Sequence, residues 1–250
     1  MNCGVIGNTR LTLLALKEVL SRGHSVSYVF GLPEEKLKNK VNAVSMTSIC
    51  ADNNIEYISS GKWEDIQGID VDVVLELGDS RIIPKDFLEH HEVIGNHGAV
   101  LPRVQGAASL VWGRMLNDGW WGVTLFKISE EIDAGDIIKV KEFSYNTDMK
   151  MDDFVEMCDD KTIECLKEYL DGDFQITENQ RWDVRAPKGG DSEHVVNLLR
   201  ECLDLGKNIY LPPRTPASAQ MKEDWAPEFV ESFKLANDAP YPRWHHGEQQ

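Results

Sequence analysis

The stretch CGVIGNTRLTLLALKEVLSRGHSVSYVF, residues 3–30, decides the fold class. Its first apolar run, residues 3–6, stops at Gly7, which is the pattern of a short buried strand. Residues 10–22 carry leucines at helical spacing, and residues 26–30 form a second apolar run. Because a strand, a helix and a strand in this order usually make a crossover between parallel strands, the stretch predicts the opening of a doubly wound α/β sheet.

The same alternation continues through the first 170 residues. We expect further strands and helices at the following ranges: strands 55–58, 71–77, 92–94, 122–128 and 137–143, and helices 45–53, 84–90, 107–117 and 152–170. The sequence therefore predicts an α/β fold with an open, mostly parallel, twisted sheet and helices on both faces. We take residues 1–170 as one catalytic core.

The amino-acid composition of the chain changes after residue 170. Residues 171–192 are polar, a further helix is expected at 193–205, and prolines become frequent from Tyr210 onward. We interpret residues 171–250 as a small, Pro-rich C-terminal extension of uncertain structure. From Tyr210 onward we expect an extended arm with one helix near residues 228–235.

Composition excludes several classes of function. The 26 basic and 42 acidic residues give a formal net charge of -16, which argues against a nucleic-acid partner. The turn GNT at residues 7–9 lacks the G-x-G-x-x-G fingerprint of dinucleotide-binding proteins. Neither a signal peptide nor an apolar run long enough for a membrane span is present, so no membrane partner is expected. The five cysteines have no C-x-x-C spacing and are expected to be reduced, mostly buried thiols of a cytoplasmic protein.

Two loops carry residue types suited to catalysis. The first is VIGNHGAVLP, residues 93–102, followed by Gly106; it leaves a predicted strand and places His97 where open α/β sheets bind ligands. The second is ISEEIDAGDII, residues 128–138, which holds four acids in seven residues between two strands. Periodicity leaves two interpretations of this acidic loop open, a solvated hairpin turn and a functional loop around Asp133.

A metal centre is the alternative interpretation of the histidines. His90 and His91 are adjacent and could join His97, but neighbouring histidines at a helix end more often cap the helix or face solvent. We therefore predict no metal.

The order of these motifs resembles that of the N10-formyltetrahydrofolate-dependent formyltransferases. That family shares a His-x-x-x-Leu-Pro segment with Gly four residues later, as in residues 97–106, then a Gly-Val-Thr strand and an Asp-x-Gly loop. Here these are GVT at residues 122–124 and DAG at residues 133–135, preceded by a loop with Gly78 and RIIP at residues 81–84. The overall layout is closest to the sugar N-formyltransferases.

The resemblance implies the roles of eight residues. The catalytic residues would be His97, Asp133 and Asn96, and the formyl donor N10-formyltetrahydrofolate would bind at Arg81, Ile82, Ile83, Glu131 and Ile132. The chain departs from the family at one place, because Gly95 stands where the family usually has an Asn two residues before the catalytic His. Either a bulge at Gly95 returns Asn96 to the site, or the donor for the oxyanion comes from elsewhere.

The resemblance implies transfer of a formyl group to a primary amine. Methionyl-tRNA formyltransferases resemble this core but usually carry a basic C-terminal barrel, so a short extension that is not basic disfavours tRNA. A core with a small C-terminal region looks most like the sugar N-formyltransferases, which implies a nucleotide-linked amino sugar as the small-molecule acceptor. Two alternatives stay open, a formyltetrahydrofolate hydrolase and a catalytically silent folate-binding or ligand-binding module. The sequence does not fix the oligomeric state, for which a homodimer is one candidate.

Overall fold

The computed structural model describes residues 1–38, 42–238 and 244–245, which fall into two compact units. The first unit comprises Met1–Asn96, Leu125–Lys139 and Thr162–Thr177. The second unit comprises His97–Thr124, Val140–Lys161 and Glu178–Gln250, of which residues 239–243 and 246–250 lie outside the described part. The boundary between a core and an extension at residue 170 stays a prediction.

The elements alternate along the chain as the first 30 residues suggest. The strands in the described ranges are β1 (Asn2–Ile6), β2 (Ser25–Phe30), β3 (Glu56–Ile58), β4 (Val73–Glu76), β5 (Val93–His97), β6 (Val104–Gly106), β7 (Trp120–Lys127), β8 (Ile137–Ser144), β9 (Val184–Arg185) and β10 (Ile209–Leu211). The helices in the same ranges are α1 (Arg10–Ser21), α2 (Glu34–Leu37), α3 (Thr47–Asp52), α4 (Glu64–Gln67), α5 (Lys85–His90), α6 (Ser109–Leu116), α7 (Met151–Leu170), α8 (Ser192–Asp204) and α9 (Pro227–Ala236). A 3-10 turn covers Pro216–Ala219.

The first unit is built on a mostly parallel sheet. Among the described residues, seven strands run in the order β3-β2-β1-β4-β5-β7-β8, to which the first unit contributes residues 125–127 of β7 and 137–139 of β8. The pairs β3-β2, β2-β1, β1-β4 and β4-β5 are parallel. The predicted fold class is therefore confirmed.

Two apolar clusters cover opposite faces of this sheet. Ile6 and Val5 are neighbours on β1, and because side chains alternate along a strand they belong to different clusters. Ile6 packs in the cluster that contains Ile66 of α4, whereas Val5 packs in the cluster that contains Leu16 of α1. Helices thus bury the sheet from both sides, as the sequence predicts.

The second unit has a smaller sheet. Within the described residues it has three strands in the order β6-β10-β9, and both strand pairs are parallel. Helix α6 packs against α8 and α9, and Trp112 of α6 donates from its indole N–H to the Pro212 carbonyl oxygen at 3.1 Å. The expectation of an extended arm from Tyr210 onward is therefore wrong at its start, because β10 joins a sheet.

Helix α2 is an element that the sequence analysis does not assign. It is a four-residue helix, Glu34–Leu37, that follows β2. Leu37 is buried, which explains why this short segment folds against the rest of the unit.

The expectation of mostly buried cysteines is confirmed, since all five are buried. A search of the described residues finds no helix whose length and hydropathy would let it cross a membrane.

Candidate active site

A pocket of about 240 Å³ opens in the first unit, where two connections meet at the ends of the strands. One connection joins β4 to α5, and the other joins β7 to β8. We call this cavity the loop pocket. It brings together seven of the eight residues singled out from the sequence: Arg81, Ile82, Ile83, Asn96, Glu131, Ile132 and Asp133.

Asp79 and Arg81 hold the first wall of the loop pocket. The Asp79 carboxylate accepts hydrogen bonds from the backbone N–H groups of Ser80 and Arg81, both at 2.8 Å, and from Arg81 Nη2 at 2.9 Å. Arg81 Nη2 also donates to the Phe30 carbonyl oxygen, and the guanidinium lies 4.6 Å from the centre of the Phe30 ring. Burial by itself raises the pKa of Asp79, but the hydrogen bonds and charge of Arg81 bring this pKa below its ordinary value.

This anchoring leaves the next two residues facing the cavity. Ile82 is 84% exposed, which is unusual for a large aliphatic side chain in an ordered loop. Within the described part of the chain, no hydrogen bond reaches the backbone N–H of Ile82 or Ile83. The wall therefore offers an apolar surface together with backbone donors. The side chain of Arg81 holds the loop through Asp79 and the Phe30 carbonyl oxygen, and its role in binding the formyl donor stays a prediction.

The second wall is the acidic loop, which forms a folded turn. Asp133 adopts a left-handed backbone conformation with φ 54°, which Asp tolerates better than most residues. A Cβ at Gly135 would lie 1.8 Å from the Lys127 carbonyl oxygen, so only glycine allows the turn to approach β7 this closely. Ile132 is 60% exposed at the cavity, so this wall also presents an aliphatic side chain.

Asn96 reaches the loop pocket from β5 without a bulge before it. The β4-β5 register runs from Val74↔Val93 to Glu76↔Gly95 without a shift. The Asn96 side-chain oxygen accepts a hydrogen bond from the Gly78 backbone N–H at 2.9 Å. Because this bond fixes the amide orientation, the amide nitrogen is the atom that can donate to a ligand.

His97 follows Asn96 in the chain and is part of the second unit. Its side chain is buried, and Nε2–H donates to the Val104 carbonyl oxygen at 3.0 Å. Since a carbonyl only accepts, Nε2 carries a proton. His97 and Asp133 belong to different units, and the catalytic roles implied for them stay predictions.

Thr124 holds the segment that follows His97 within the second unit. Its hydroxyl donates to the Ala99 carbonyl oxygen at 2.7 Å and accepts from the Leu101 N–H at 3.0 Å. The indole N–H of Trp121 donates to the Gly98 carbonyl oxygen at 2.7 Å. These bonds give the GVT motif at residues 122–124 a structural task, which is to fix the backbone after His97.

Glu76 is a pocket residue that the sequence-based reasoning missed. It ends β4, lines the loop pocket and is only 7% exposed. Burial raises the pKa of its carboxyl well above the ordinary value, the charge of Asp79 raises it further, and Arg81 opposes this. The signal was a charged residue inside the apolar run VVLEL, residues 73–77.

The neighbouring histidines make contacts of their own. His90 Nδ1 lies 2.7 Å from the Asp86 carbonyl oxygen, and His91 Nε2 lies 2.9 Å from that of Gln67. The His91 ring also stacks on Phe87. Among the residues that the structure describes, no group of three or more His, Cys, Asp or Glu side chains is arranged to hold a metal ion.

A family model described as Formyl transferase matches residues 33–168, more than half of the 250 residues. Among curated proteins, the methionyl-tRNA formyltransferase of Thermodesulfovibrio yellowstonii is 27% identical over 158 residues, which cover 58% of this chain and 51% of that protein. The chain thus spans about half the length of this curated relative.

Solved structures share the fold at low sequence identity. A 4-N formyltransferase from Francisella tularensis superposes with a TM-score of 0.70 at 16% identity, over 97% of this chain and 90% of that one. An N-formyltransferase from Helicobacter canadensis, solved with folinic acid and dTDP-3-aminofucose, superposes with a TM-score of 0.68 at 15% identity. That match covers 94% of this chain and 79% of the other.

Proposed function

The chain belongs to the formyl transferase family, and from this membership we propose that it is an enzyme that transfers a formyl group from N10-formyltetrahydrofolate to a primary amine. The family membership supports the reaction type and the formyl donor. The loop pocket supports the place where the donor binds, and no metal is required for this chemistry.

The observation that carries the proposal is the presence of one exposed isoleucine on each of the two walls of the loop pocket. Ile82 is 84% exposed and Ile132 is 60% exposed, although both are large aliphatic side chains in folded loops. A flat heterocycle between the walls would cover both, which is favourable because apolar surface leaves water. The backbone N–H groups of Ile82 and Ile83 would pair with the polar edge of the ring.

The proposed reaction is a direct acyl transfer. The neutral amine attacks the formyl carbon, and a tetrahedral intermediate with a negatively charged oxygen forms. The attacking nitrogen then loses a proton, N10 of the folate gains one, and the bond between the formyl carbon and N10 breaks. We assign Asn96 and His97 as donors to the oxyanion and Asp133 as the group that accepts or relays the proton.

For the acceptor we propose the amino group of a nucleotide-linked amino sugar. A structural neighbour was solved with folinic acid and dTDP-3-aminofucose, which supports this class of acceptor. Curated relatives are methionyl-tRNA formyltransferases, but a net charge of -16 would repel a tRNA backbone. Five buried, free thiols suit a reducing compartment, and we place the reaction in the cytoplasm.

Release of tetrahydrofolate from N10-formyltetrahydrofolate tests the proposal in three parallel reactions. One contains a set of dTDP-linked amino sugars, one contains methionyl-tRNA, and one contains no acceptor. Release that depends on an amino sugar supports the proposal. Release that depends on methionyl-tRNA would mean that methionyl-tRNA, and not an amino sugar, is the acceptor. Equal release in all three identifies a hydrolase, and binding without any release identifies a silent module.

A further inference from the structure

Glu76 is a buried acidic side chain that faces a cavity. It is the last residue of β4, it lines the loop pocket, and 93% of its surface is covered, since it is 7% exposed. Within the described part of the chain, no hydrogen bond or ion pair reaches its carboxyl group. Because Glu76 is largely covered and lines the loop pocket, a ligand in that pocket can supply the hydrogen bonds that its carboxyl lacks.

The backbone beside Glu76 is shaped to leave room for the carboxyl. Glu76 is paired with Gly95 in the β4-β5 register, and paired residues of parallel strands project on the same face of the sheet. A Cβ at Gly95 would lie 3.3 Å from Glu76 Oε2 and 2.6 Å from Ile128 Cδ1. The position at which this chain departs from the resembled family is thus the position next to the carboxyl.

The charged groups that line the cavity with Glu76 are mostly acidic. From the connection between β4 and α5, Asp79 adds negative charge, and Arg81 is held by Asp79 and by the Phe30 carbonyl oxygen. From the connection between β7 and β8, the charged residues that line the same cavity are all acidic: Glu130, Glu131 and Asp133. The part of the cavity next to Glu76 therefore suits a ligand edge that brings hydrogen-bond donors.

We propose that Glu76 is a specificity-determining residue of the loop pocket, whose carboxylate accepts hydrogen bonds from two adjacent N–H groups on the edge of a bound heterocycle. For the donor proposed above, this edge is the 2-amino group and N3–H of the pterin ring. The inference rests on the proposed function, because it takes the folate as the occupant of the cavity. A carboxylate with two oxygens fits such a pair of donors in bidentate geometry.

Binding should then be linked to a proton. Burial raises the pKa of Glu76 in the ligand-free protein, so this carboxyl keeps its proton to a higher pH than an exposed glutamate does. A ligand that donates two N–H hydrogen bonds to Glu76 favours the charged form of this carboxyl and lowers its pKa. Each binding event therefore releases a proton at pH values between the two pKa values, and affinity rises with pH until the free carboxyl is fully ionised.

Calorimetric titration with 5-formyltetrahydrofolate, which is not a formyl donor, tests the inference. Titrations at one pH in buffers with different heats of ionisation count the protons released. The wild type should release up to one proton per ligand, and Glu76→Gln should release fewer and bind about 10- to 100-fold more weakly. Glu89→Gln, an exposed change on α5, should behave like the wild type in both respects.

A second pair of measurements separates recognition from a structural role. An analogue with a methyl group in place of the 2-amino group should bind the wild type weakly, and Glu76→Gln should discriminate less between the two ligands. Glu76→Leu should raise the melting temperature, because it removes an unpartnered carboxyl, while it also weakens folate binding. If the wild type binds the folate with no proton release and Glu76→Gln binds it equally well, the inference is overturned and the proposed function stands. If the wild type does not bind the folate, both are overturned.

Discussion

The Asn96 side-chain oxygen accepts the backbone N–H of Gly78 at 2.9 Å, and this bond joins the end of β5 to the end of β4. It sets the orientation of an amide that reaches the loop pocket from a position directly before His97. A donor one residue along from the usual family position is therefore available, although Gly95 itself has no side chain.

Asn96→Ala should lower kcat by about 100- to 1000-fold, the usual effect of removing one donor to an oxyanion. KM for the folate should change less, because the amide acts on charge that develops during the reaction. Steady-state kinetics check this, with Asn53→Ala, a change at an exposed helix end, as the control. A fully active Asn96→Ala enzyme would remove Asn96 from the proposed chemistry.

His97→Ala should lower turnover by about 100- to 1000-fold, the range expected when a donor to an oxyanion is lost. The variant should still bind 5-formyltetrahydrofolate, because the loop pocket lies wholly in the first unit. His90→Ala, a change at an exposed histidine, is the matched control and should keep normal kinetics. Turnover near the wild-type rate in His97→Ala would contradict the assigned role.

Asp133→Asn should cause a large loss of rate with little change in folate affinity. Asn is the matched substitution because it also tolerates the left-handed backbone that Asp133 adopts at φ 54°. The kinetic loss then reports the missing carboxylate rather than a distorted turn. Asp136→Asn in the same loop serves as the control, and equal effects of the two changes would argue against a specific role for Asp133.

Gly95→Ala should destabilise the protein by about 1–3 kcal/mol, the usual cost of overpacking. The new Cβ would lie 2.6 Å from Ile128 Cδ1 and 3.3 Å from Glu76 Oε2, so both side chains must move. Gly68→Ala is the matched control, because a Cβ there meets nothing within 4 Å. Chemical denaturation of both variants gives the comparison, and equal stabilities would mean that the close approach at Gly95 is not real.

The pH dependence of stability should carry the signature of Glu76. Burial raises the pKa of this carboxyl, so the stability it contributes is fully present below the unfolded-state pKa of about 4 and is lost as pH rises toward the folded-state pKa. Relative to Glu76→Gln, the ligand-free wild type should lose up to about 1.4 kcal/mol of unfolding free energy per pH unit in that window. Denaturation curves from pH 4 upward measure this, and parallel pH profiles for the two proteins would contradict it.

Periodicity predicts the long elements well and the short ones poorly. The strands β1 and β2 and the helix α1 follow from residues 3–30, because each carries enough apolar residues to show its period. The strands β6, β9 and β10 have two or three residues each, and their pairing joins segments far apart in the chain. No local sequence pattern predicts these strands, because two or three residues are too few to show a hydrophobic period.

The residues of the candidate site were also only partly predictable from the sequence. Arg81, Ile132 and Asp133 were selected by resemblance, and the structure places all three on one cavity. The sequence pattern does not predict Glu76 as a site residue, because a single acid at the end of an apolar run also fits a strand that reaches solvent. Only the register with Gly95 and the burial of its carboxyl reveal that it faces the cavity.

A crystal structure of the protein with 5-formyltetrahydrofolate shows directly where the folate binds. We expect the pterin ring in the loop pocket, in contact with Ile82 and Ile132, with its 2-amino edge at the Glu76 carboxylate. A folate bound elsewhere on the protein, with the loop pocket filled only by water, would contradict it.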